Sequence, residues 1–136
     1  MRNRKLTVLF VIASVLSLAN AACSNPRTLE VPVADSITVI RVSVGYTNAS
    51  EHEIRDRSVI EKVLALVAAN NRGWSIPFGT FPTPKASAVF LDKDGAPLLV
   101  VWFGPGWVGA RYIENLVWDL SPDKQEELRS ELGIGA

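Results

Sequence analysis

The stretch Ala86-Ser87-Ala88-Val89-Phe90-Leu91-Asp92-Lys93-Asp94-Gly95-Ala96-Pro97-Leu98-Leu99-Val100-Val101-Trp102-Phe103 decides the fold. Two runs rich in β-branched and aromatic residues flank a cluster of Asp and Gly. That pattern predicts a β-hairpin, because Asp and Gly take up the backbone conformations a tight turn demands. Asp92 and Asp94 faintly resemble a calcium loop. The twelfth position counted from Asp92 is Phe103 rather than a carboxylate, so the turn reading is preferred. Leu98–Phe103 is apolar on both faces, which predicts a central strand covered on both sides or a strand at a partner interface, and permits a homodimer.

Toward the C-terminus, Gly104-Pro105-Gly106 turns the chain into a strand over Trp107–Ile113. A further strand over Leu116–Leu120 would follow a turn at Glu114-Asn115. A two-residue hairpin register there would set Arg111 opposite Trp118 for a cation–π contact. Three glycines between Gly104 and Gly109 do not make a dinucleotide fingerprint, since they lie between strands and Pro105 lacks a backbone donor. Ser121, Pro122 and Asp123 read as the start of a last helix whose Leu128 and Leu132 share a face and which Gly133 ends.

Toward the N-terminus, Trp74–Pro84 reads as a long loop holding Pro77, Gly79, Pro82 and Pro84. Asp56 is a good helix cap, and Ile60, Val63, Leu64 and Val67 recur at helical spacing, with Gly73 as a left-handed stop. Ser36–Tyr46 alternates as a strand, with Ile40, Val42, Val44 and Tyr46 on one side. Ser24–Pro32 reads as a polar tether. The order is β-α-β-β-β-(β)-α, which predicts an α+β domain with an antiparallel sheet of about four to five strands packed with two helices. The segments are then a signal over 1–22, a tether over 23–35 and a single domain over 36–136.

The first 22 residues carry a different message. Arg2, Arg4 and Lys5 precede an apolar run from Leu6 to Leu18, then come Ala19, Ala21, Ala22 and Cys23. This is the charge, apolar and small-residue order of a secretory signal peptide, and the run is short for a bilayer-spanning helix. Ala19-Asn20-Ala21 fits an ordinary signal peptidase site. Asn20-Ala21-Ala22-Cys23 resembles the lipobox of bacterial lipoproteins, in which the Cys becomes the acylated N-terminus. Asn20 departs from the Leu or Val usual three residues before that Cys. A single Cys in an exported chain is a liability unless it is modified, which favours Cys23 as a lipidation site.

The 136-residue chain balances 14 Lys and Arg against 14 Asp and Glu. Removal of the first 22 residues takes three basic residues and leaves 114 residues with net charge −3. A mildly acidic domain has no electrostatic reason to bind nucleic acid or anionic headgroups, so membrane attachment is expected through the acyl chains alone.

The chemistry-bearing residues are sparse. His52, the only histidine, lies in the polar run Ser50-Glu51-His52-Glu53 with no second His or Cys at ligand spacing, so a solvated loop is expected. No Gly-x-Ser-x-Gly nucleophile motif occurs. No catalytic residue, metal ligand or cofactor is assigned. The aromatic residues Trp74, Phe78, Phe81 and Trp107 are candidate partner-binding groups, since such rings dominate binding hot spots. The competing reading is that they close the open end of a small sheet.

The signal and Cys23 resemble those of bacterial lipoproteins, and the strand, Asp-capped helix, Asp-Gly hairpin and short last helix resemble small lipoprotein domains to which no activity is attached. By that resemblance, Ser24 after the Cys favours the outer membrane, facing the periplasm. The implied role is a non-catalytic envelope lipoprotein, a binding or structural module for a protein or envelope component. Two alternatives stand beside it: an inhibitor of an envelope hydrolase acting through Trp74–Pro84, and a soluble periplasmic or secreted protein, including a periplasmic enzyme.

Overall fold

The computed structural model describes residues 26–45, 49–76, 83–111, 115–118 (backbone) and 121–135. Its strands are β1 (Arg27–Thr28), β2 (Val39–Val44), β3 (Ser50–Ile54), β4 (Arg72–Trp74), β5 (Ala86–Leu91), β6 (Pro97–Gly104), β7 (Trp107–Arg111) and β8 (Asn115–Trp118). Its helices are α1 (Arg57–Ala69) and α2 (Pro122–Glu131), and a 3-10 turn covers Ala34–Ser36. The fold is α+β, and every strand pairing is antiparallel. The main sheet has six strands in the order β3-β2-β5-β6-β7-β8, and β1 with β4 forms a separate two-stranded pair.

The expected hairpin is β5–β6. Asp92 Oδ1 accepts from the backbone N–H of Asp94 at 2.9 Å and of Ala96 at 2.8 Å, so the carboxylate is spent on the turn itself. Asp56 caps α1 by accepting from Ser58 N at 2.8 Å. Ser121 precedes α2 without a side-chain cap bond, and Pro122 opens the helix.

Four expectations are corrected. Ser50–Ile54 is not a loop but the edge strand β3, paired with β2 from Ile40↔Ile54 to Val44↔Ser50. Its polar sequence hid it, because an edge strand can stand with little burial and its charges discourage pairing with other chains. The segment read as a tether docks onto the body: β1 pairs with β4, Leu29 N–H donates to Asn71 O at 2.7 Å, and the Leu29 side chain is 1% exposed. Gly73 is not the helix stop but a β4 residue with φ of 85°. Finally, Arg111 pairs with Asn115 and Trp118 with Val108, so the β7–β8 register does not set Arg111 opposite Trp118.

The two faces of the sheet differ. Ile40, Val42, Ala88, Phe90, Leu99, Val101, Phe103, Val108 and Ala110 share one face and join Ile60, Val63, Leu64 and Val67 of α1 and Leu128 of α2 in one core. Both described helices therefore cover the same side of the sheet. Leu29, Ile37, Trp74, Ala86, Leu132 and Ile134 complete that core.

Candidate functional site

Alternation places the remaining residues of the central strands on the second face. Val39 lies opposite Leu91, and Val89 lies between Arg41 and Val100. Trp102 lies between Ser87 and Gly109, and Val100 pairs with Arg111. No described helix joins the cluster on this side, and Val39, Leu91 and Val100 stand outside the main core although each is under 9% exposed. Trp102 and Trp107 are half-buried, and Arg111 is exposed.

Two features build this surface. The Arg111 guanidinium sits over the Trp102 ring at 5.7 Å from its centroid, a cation–π contact that takes the place of the one expected with Trp118. The Trp107 ring packs closely against Gly104, its partner across β6–β7. A Cβ at residue 104 would fall 2.0 Å from Trp107 Cε2 and Nε1, far inside contact distance, so only glycine lets the indole pack there. Toward the β3 edge the same face turns charged. Glu53 accepts from Arg55 Nη2 at 2.7 Å and from Arg41 Nη2 at 3.5 Å, and Ser43 Oγ donates to Glu51 at 3.1 Å. Arg55, then Arg41, holds the Glu53 carboxyl below the ordinary carboxylate value.

The structure separates the four aromatic candidates. Trp74 is 2% exposed on the helix side, where its Nε1–H donates to Asn70 O at 3.0 Å. There it lines a cavity of about 10 Å³ with Leu66, Val67, Val101, Val108 and Leu128, room for roughly one water. Trp107 belongs to the opposite face of the sheet. Phe78 and Phe81 lie outside the described residues, as does Cys23. Trp102, in the strand expected to be central and covered on both sides, is a half-buried second-face residue. Its alternation with Val101 and Phe103 was the available signal, but a strand apolar on both sides does not reveal which face the helices at 57–69 and 122–131 cover.

A second concavity of about 490 Å³ runs between β3, the start of α1 and the end of α2, with His52, Glu53, Asp56, Ser130 and Glu131 on its walls. His52 Nε2–H donates to Leu132 O at 2.9 Å; a carbonyl only accepts, so this nitrogen carries the proton. The ring passes close to Gly133, where a Cβ would fall 3.2 Å from Nε2. Gly133 itself has φ of 66° and ends α2 in the left-handed conformation. The other walls are also engaged: Glu131 with Lys62, and Asp56 with Ser58 and Val59. The Ser58 hydroxyl and backbone bonds hold the Asp56 carboxyl below its ordinary value. Among the described residues no group of three or more His, Cys, Asp or Glu could hold a metal ion. Nor is any described helix long and apolar enough to cross a membrane. Compared with known family models, curated proteins and solved structures, the chain has no match.

Proposed function

We propose that this chain is a lipid-anchored, non-catalytic module of the bacterial cell envelope, acylated at Cys23 and exposed to the periplasm from the outer membrane. It binds a protein or envelope component through the second face of its sheet. The observation that carries this reading is the aromatic pair on the second face: both described helices join the other core, and this face carries Trp102 under Arg111 and Trp107 on Gly104. Aromatic rings beside an arginine are the groups that most often dominate binding energy.

Two measurements test it. Intact mass of the native protein from membrane and soluble fractions should show a membrane form that begins at an acylated Cys23 and is lost in Cys23→Ser. An unacylated soluble form beginning earlier would sink the anchor. The Cys23→Ser chain should then co-sediment saturably with isolated envelopes, with at least tenfold weaker binding for Trp102→Ala and Arg111→Glu. Unchanged binding in both variants would overturn the assignment of the face.

The groove beside His52 favours a second reading, a periplasmic enzyme. That reading requires His52→Ala to abolish a turnover that the folded wild-type chain performs.

A further inference from the structure

The docked N-terminus fixes how far the body can stand from an anchor at Cys23. Only Ser24, Asn25 and Pro26 separate Cys23 from β1, which is held by its pairing with β4 and by the buried Leu29 just beyond it. Four residue steps of extended chain span at most about 14 Å. The surface around β1 and β4 is therefore kept within that distance of any membrane that holds Cys23.

That surface has a membrane-facing composition. Arg27 and Arg72 lie on the paired strands, in register with Trp74 and Thr28, and both are exposed. Among the described residues neither makes a salt bridge. Ile76 follows β4 by two residues, at the end of the antiparallel pair from which the chain leaves toward Cys23, and is 53% exposed. Val33, a second exposed large apolar residue among the described ones, is 71% exposed beside the 3-10 turn. Its neighbour Ala34 accepts a bond from Arg57 at the start of α1, whereas Leu29 is bonded to Asn71 beyond the end of α1. The two places thus lie beside opposite ends of α1, with at most about 14 Å of extended chain between Leu29 and Val33.

We infer that the β1–β4 surface rests on the lipid leaflet that carries the anchor, with Ile76 entering the headgroup region and Arg27 and Arg72 facing lipid phosphates. This rests on acylation of Cys23 as proposed above. The net charge of −3 over residues 23–136 hides the arrangement, because the two arginines are brought onto neighbouring strands only by strand pairing. A domain so placed is oriented rather than tumbling on a leash.

The test uses acylated full-length protein in vesicles of three parts phosphatidylethanolamine to one part phosphatidylglycerol. Ile76→Cys and Val33→Cys are each spin-labelled after acylation has consumed Cys23, and intact mass is recorded on the same samples. Expected is an Ile76 label reached by oxygen and shielded from a water-soluble nickel reagent, with a Val33 label fully open to nickel. Acylated protein in which both labels are equally open to nickel overturns this inference and leaves the anchor standing. Absence of acyl mass overturns the anchor and the inference with it. In a second arm, the unacylated Cys23→Ser chain should partition onto the same vesicles about 25-fold more strongly than its Arg27→Gln/Arg72→Gln variant at low salt, at the energy usual for two arginines near an anionic surface. Equal partitioning counts against the arginines as lipid contacts.

Discussion

Substitution of Gly104 by Ala isolates the packing of the second face. The residue has no positive φ, so Ala is unstrained there, and the loss of unfolded-state freedom alone would stabilise the fold by about 0.4–1 kcal/mol. Against that, the new Cβ would lie 2.0 Å from two atoms of the Trp107 ring, where carbon atoms need about 3.5–4.0 Å. The indole must lift off the sheet by roughly 1.5–2 Å, the difference between those separations. Loss of about half of a tryptophan's buried area, on the order of 100 Å², costs roughly 2.5 kcal/mol at about 25 cal/mol per Å². Residual burial in the unfolded chain trims that to about 2 kcal/mol. The net effect is a destabilisation of about 1–2 kcal/mol, which lowers Tm by roughly 4–8 °C in a domain of this size. Thermal unfolding of the Cys23→Ser chain by circular dichroism measures it. The same Gly104→Ala change in a Trp107→Ala background should be neutral or slightly stabilising, giving a coupling of about 2 kcal/mol between the sites. Equal cost in both backgrounds would refute the argument that the glycine exists to seat the indole.

Other outcomes follow from the same packing. Trp74→Ala should cost about 3–5 kcal/mol in urea unfolding, and Trp74→Phe about 1 kcal/mol through loss of the bond to Asn70 O, because this ring is core rather than a contact for partners. Leu29→Ala should cost about 2–4 kcal/mol, whereas a free tether would cost nothing measurable at that position. Asp56 and Glu53 are held below their ordinary values of 3.8 and 4.5. The unfolded chain therefore binds more protons in that range, and the stability these groups supply is present above those values and lost as pH falls through the lower folded ones. Asp56→Asn and Glu53→Gln should each flatten the acid limb of a stability–pH curve, and unchanged slopes would show that the two carboxylates are not coupled to folding.

Much of the fold was legible because its signals are local. The Asp-Gly turn at 92–95, the cap at Asp56, the helical spacing of Ile60 to Val67 and the Pro122 helix start each place backbone demands on consecutive residues, and each appears where those demands put it. Nothing comparable marks β3: Ser50-Glu51-His52-Glu53 becomes a strand because β2 offers it a partner, and His52 finds Leu132 from 80 residues away. The same holds for β1 and β4, two and three residues long, which exist because Leu29 and Trp74 are buried beside them.

The candidate surfaces divide along that line. By itself the sequence determined which residues are aromatic, which segment precedes Cys23 and which strands are apolar on both sides. Only the tertiary structure decided that Trp74 is core, that Trp102 and Trp107 stand on the face opposite the two described helices, and that Arg27, Arg72 and Ile76 lie on or next to the β1–β4 pair. The reason is physical: periodicity assigns a side chain to a face of its own element, but which face is buried depends on where the other elements pack, and that is settled by contacts between residues far apart in the chain.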